Sequence, residues 1–129
     1  GSHIPEVFQY ADEKGWDVDF YMTCFYNLSR GPRESALVGA APGMVEERYL
    51  DEDRERMCAL IQQTRKQCLA FKILAAGRKC ATQEMVREAF RFAFAQIKPT
   101  DAVVVGMFPK YIDQIALNVE HARHAMGAC

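Results

Sequence analysis

The chain has 129 residues, 50% hydrophobic and 26% charged, and its sixteen basic and seventeen acidic residues leave a net charge of -1. Such a balance describes one globular domain able to bury a core, and it excludes a disordered or fibrous chain and a basic nucleic-acid-binding one. No apolar run approaches the roughly 18 residues of a membrane span and no basic-then-apolar secretory start is present, so neither membrane insertion nor export is expected.

Gly1-Ser2-His3 opens the chain like the remnant of a cleaved expression tag, leaving 4–129 as a single α/β domain. The missing initiator methionine leaves a longer parent open. Pro5 suits the first turn of a short helix whose apolar face, Val7, Phe8, Tyr10 and Ala11, runs to Glu13 before Gly15 closes it. Val18 to Phe25 is almost continuously apolar, as in a strand covered on both faces.

The stretch 26–50 is a long loop, because Gly31, Pro32, Gly39, Pro42 and Gly43 leave room only for a turn or two of helix at 33–38. Asp51 can then cap a helix that turns Met57, Leu60 and Ile61 inward. Cys68 to Leu74 reads as the second strand. Thr82 caps a third helix, in which Met85, Val86, Ala89, Phe90, Ala93, Phe94 and Ile97 recur at helical spacing. Asp101 leads into a third strand, Ala102 to Val105, and from near Tyr111 a last helix sets Ile112, Ile115, Ala116, Val119, Ala122 and Met126 on one face.

Right-handed crossovers make the three strands parallel neighbours with alternating helices. Helices on short crossovers cover one sheet face only. The other face, Phe20, Met22, Cys24, Leu69, Phe71, Ile73, Val103 and Val105 or their alternates, then needs a cover: a homodimer partner, a missing half of the chain or a swapped segment.

Several segments together resemble the C-terminal part of an aldo/keto reductase-type (β/α)8 barrel, a half TIM-barrel covering nearly all of this chain. Phe25-Tyr26-Asn27-Leu28-Ser29-Arg30 is similar to the family's segment after strand six, Ala70 to Gly77 to strand seven, and Val105-Gly106 with Gln114 and Asn118 to the strand-eight cofactor segment. The resemblance implies an NADP-type cofactor with Phe71 stacked on nicotinamide. It also implies that Gly106, Gln114 and Asn118 hold the adenosine phosphate end and that Lys110 supplies a basic group. The family's catalytic Tyr, Lys, His and Asp belong to the first half of the barrel, so the parent would be an NADP-dependent oxidoreductase and this chain inactive alone.

Physical chemistry reaches a related site by its own route. Loops after the last two strands of such barrels often bind phosphate. Here Gly77, Arg78 and Lys79 form one loop and Gly106 to Lys110 the other, which points to a phosphate-bearing small molecule. Lys72, inside a strand, needs solvent, a carboxylate such as Asp19 or Asp101, or a ligand, and is the one weak candidate for catalysis. His121 and His124 suit a metal in spacing but lack a third ligand nearby, so no metal is expected and both should face water.

Cys24, Cys58, Cys68, Cys80 and Cys129 form no CxxC pair and match no disulfide framework, which favours small buried apolar roles in a reducing compartment, the cytoplasm. Two function classes therefore stand: a barrel fragment carrying part of a phosphate or nucleotide site, and a non-catalytic assembly module that uses the open sheet face.

Overall fold

A computed structural model describes residues 1–28 and 48–127. The elements are α1 (Pro5–Glu13), β1 (Phe20–Cys24), α2 (Asp51–Gln63), β2 (Gln67–Phe71), α3 (Gln83–Gln96), β3 (Ala102–Val104) and α4 (Gln114–Ala125), with a 3-10 turn at Ala75–Gly77. The strands form one parallel sheet in the order β1-β2-β3, with Met22, Leu69 and Ala102 abreast. Each strand is shorter than its apolar run. The expected helix at 33–38 and Cys129 lie outside the described residues.

The chain steps sideways one strand at a time, so right-handed crossovers bring every helix to the same face. Burial follows the alternation this requires: Tyr21, Thr23, Cys68 and Ala70 are sealed beneath the helices, while Met22, Leu69 and Phe71 stay half-exposed. Phe20 and Val104, at 48% and 43% exposure, complete the open face. Four residues expected on that face are covered instead, since Cys24 and Ile73 are buried and Val103 and Val105 pack against the core, the alternate side of their strand.

Thr82 caps α3 as expected, its Oγ1 accepting the Met85 N–H at 3.2 Å. Met85 itself is exposed. Asp51 is not a cap: Leu50 holds that position, and Asp51 is the first helical residue, paired with Arg54 at 3.0 Å and Lys79 at 3.2 Å. Asp53 does the anchoring instead, buried and accepting the Asn27 N–H at 3.0 Å.

The last helix differs most from its sequence reading. Asp113 accepts the Ala116 N–H at 3.0 Å and starts α4 at Gln114, three residues after Tyr111. Its packed side is Gln114, Leu117, Asn118, His121, Ala122 and Ala125. His121 is buried rather than solvated, with Nε2 3.0 Å from Gln83 Oε1. That polar anchor fixes the rotation of α4 and leaves Ile112, Ile115, Val119 and Met126 about half exposed.

Both margins of the sheet are defined. On the N-terminal side of β2 and β3, buried Asp101 accepts from the backbone N–H groups of Cys68 (2.8 Å) and Lys98 (2.9 Å) and pairs with Lys98 Nζ at 3.1 Å. Lys98 Nζ also donates to Ile61 O at 2.6 Å, so one ion pair ties two strand starts to α2. Beside β1, Ser2 forms a parallel bridge to Thr23: its N–H donates to Met22 O and its carbonyl accepts from Cys24 N–H, both at 3.1 Å. A Cβ on Gly1 would sit 3.1 Å from that of Met22. The three residues expected as a tag remnant thus lie where a fourth parallel strand would run.

Candidate functional site

Beyond Phe71 the chain leaves the sheet through an unusual backbone. Lys72, Ala75 and Ala76 adopt φ of 58°, 51° and 51°, followed by Gly77 at 92°. Left-handed conformations of non-glycine residues cost on the order of 1–3 kcal/mol each, and they persist where surrounding bonds impose them. Here Leu74 O accepts from both Gly77 N–H (3.0 Å) and Lys79 N–H (3.2 Å), while Lys72 O accepts from Ala75 N–H at 2.8 Å. On the neighbouring strand, Gly106 ends β3, and Gln114 Oε1 accepts the Phe108 N–H at 2.7 Å, drawing the loop back to the start of α4.

Between these two exits lies a cleft of about 620 Å³, inside the usual range of small-molecule sites. Phe71, Gly77, Gly106 and Gln114 line it, as does Lys72. Four of the eight residues assigned to a cofactor therefore meet at one place. The wall is mostly apolar, with Ile73, Leu74, Val104 and Phe108 contributing.

The cations are distributed differently. Lys72 follows the end of β2 rather than lying inside a strand, and its Nζ reaches Tyr49 Oη at 3.4 Å rather than Asp19 or Asp101, the latter being held by Lys98. The Arg78 guanidinium stacks 4.1 Å from the Tyr49 ring centre. Arg78 and Lys79 line a separate hollow of about 390 Å³ with Asp51 and Glu52. Lys110 lies 5.3 Å from the ring centre of Tyr111, and Asn118 is half-buried on α4 without lining the main cleft.

Tyr26 is fully buried, its hydroxyl has no hydrogen-bond partner among the described residues, and desolvation pushes its pKa up to about 12. A proton donor to a substrate needs access and a pKa nearer neutrality, and Tyr26 offers neither. Cys24, Cys58 and Cys68 are buried thiols as expected. Sequence reasoning gave no site role to Cys80 and included Met107 and Phe108 only as members of the Gly106 to Lys110 loop, yet all three line the cleft. No periodicity marks them, because they sit in loops.

No family model, curated protein or solved structure matches this chain. Its chemistry must therefore be read from its own residues. Among the described residues no three His, Cys, Asp or Glu side chains cluster as metal ligands, and no helix is long and apolar enough to cross a membrane.

Proposed function

We propose that this chain is the C-terminal half of an aldo/keto reductase-like (β/α)8 barrel and contributes part of a phosphate or nucleotide site, of NADP type, without being catalytic alone. The observation that carries this reading is the cleft between the exits of β2 and β3, which gathers Phe71, Gly77, Gly106 and Gln114. An aromatic ring can stack on a base or nicotinamide, and glycine lets a phosphate approach the backbone. The fit is to the ring and backbone portions of a dinucleotide. Arg78 and Lys79 stand in the adjoining hollow, so charge reaches a ligand only from the side.

Weak binding follows, because a half-site lacks the remaining contacts and the cations are already engaged with Tyr49 and Asp51. Calorimetry with NADP⁺ and with inorganic pyrophosphate tests this. A Cβ on Gly106 would meet nothing within 4 Å, so Gly106→Trp can fill the cleft without displacing the core. Weak NADP⁺ binding lost in Gly106→Trp is the expected result. Tight binding that survives Gly106→Trp and replacement of Arg78, Lys79 and Lys110 by Ala would remove the site from this cleft.

A second reading, an assembly module using the open sheet face, is favoured by the exposure of Phe20 and Val104. It needs no ligand at the cleft. Cofactor-oxidation assays separate an active parent from this chain: no turnover is expected, and turnover abolished by Lys72→Met would make Lys72 catalytic.

A further inference from the structure

Fourteen large apolar side chains are exposed among the described residues, and all but Leu50 and Met85 lie on three connected surfaces. These are the free flank of α1, the open sheet face, and the β3–α4 loop with α4. In α1, Asp12 bonds Tyr21 of β1 and so marks the flank turned towards the sheet. At about 100° per residue, Val7 and Tyr10 fall on the opposite flank of the buried Phe8 and Ala11. In α4, His121 and Gln83 hold the helix against α3, and Ile115, Val119 and Met126 form one stripe away from that contact. The Trp16 ring meets Tyr10 edge-on at 5.8 Å, and the two outermost helices each still present a half-exposed apolar flank.

The sheet has matching margins. Ser2 occupies a strand position beside β1, and β3 ends the sheet on the other side, with no partner beyond it among the described residues. Three parallel strands backed by helices on one face, with the Ser2 bridge marking a fourth position beside β1, match in number half of an eight-stranded barrel. Resting on the half-barrel reading above, we infer that in the isolated chain a second copy takes the place of the other half and seats on both margins at once. The β3 edge of each copy lies along the Ser2 position of its partner, and α4 of each packs its Ile115–Val119 stripe against Val7 and Tyr10 of the partner's α1.

Two-fold symmetry makes the two contacts identical and closes the assembly, leaving no free edge to propagate. It also turns Phe20, Met22, Leu69, Phe71 and Val104 into a barrel interior, the place where layers of apolar side chains belong. Stacking of two open faces would bury that surface but would leave both helix flanks and both sheet edges bare. Closure covers all three, which is why we prefer it.

Light scattering on residues 1–129 at micromolar concentration should give twice the 14.6 kDa of one chain. Ile115→Glu/Val119→Glu alters α4 alone and Val7→Lys/Tyr10→Lys alters α1 alone, at side chains 42–52% exposed, so folding should survive in both. Each variant by itself is expected at half the native mass with an unchanged circular dichroism spectrum. Mixing them restores one glutamate–lysine contact and one native contact, so the native mass should return. A monomeric native chain, larger open assemblies, a variant whose mass stays native, or a mixture that stays monomeric would each overturn the closure. The cleft is tested separately: a native monomer that still binds NADP⁺ refutes the dimer alone, and a dimer that ignores NADP⁺ refutes the ligand alone.

Discussion

Gln114 Oε1 accepts the backbone N–H of Phe108 at 2.7 Å, so the first residue of α4 holds the loop that forms one wall of the cleft. Without that bond the loop from Gly106 loses this tie to the helix. Gln114→Ala should weaken NADP⁺ binding while changing stability by only about 0.5–1.5 kcal/mol, the net value of one hydrogen bond. Paired calorimetry and urea titration check it. A binding loss fully matched by loss of fold would deny Gln114 a local role.

The left-handed run after Phe71 gives an opposite sign. Ala76 holds φ of 51°, a conformation costly for any residue with a Cβ. Ala76→Gly removes that cost and loses part of the gain to greater freedom in the unfolded chain, leaving a net stabilisation of about 0.5–1 kcal/mol. An unchanged or lowered urea midpoint would show that Ala76 is not strained there.

Asp101 is fully buried at its side chain and satisfies two backbone N–H groups as well as Lys98. Asp101→Ala strands the Lys98 ammonium between Ile61 O and the Cys68 thiol, and should cost about 3–5 kcal/mol, as for breaking a buried pair from one side. Thermal melts decide it. Additional loss of Lys98 in Asp101→Ala/Lys98→Met should recover part of the deficit.

Alkaline pH should loosen the fold through two thiols. Burial pushes Cys58 from 9.0 to about 12 and Cys68 from 9.0 to about 11. Above 9.0 an unfolded thiol ionises while the native one keeps its proton, so the unfolded state binds fewer protons and stability falls as pH rises. The contribution is intact below that value and fades up to the native pKa, by at most about 1.4 kcal/mol per pH unit per thiol. Urea midpoints at about pH 8 and about pH 10 should differ in native protein and less in Cys58→Ala, and equal midpoints would exclude the mechanism.

The sequence alone determined the order of elements, because each signal is local. Pro5 and Gly15 bracket α1, Thr82 and Pro99 bracket α3, and the apolar runs at 18–25, 68–74 and 102–105 mark three strands. Half of the cofactor residues assigned from sequence share one cleft for the same reason, since a parallel sheet brings the ends of neighbouring strands together. Tertiary structure decided what depends on partners distant in sequence. Lys72 met Tyr49 across 23 positions, and Asp101 was claimed by Cys68 and Lys98 before any other cation could reach it. The rotation of α4 was settled by His121 against Gln83, so a stripe that reads as core from its spacing faces outward. Helical periodicity shows that a face is apolar; only the packed neighbours show whether this chain covers it.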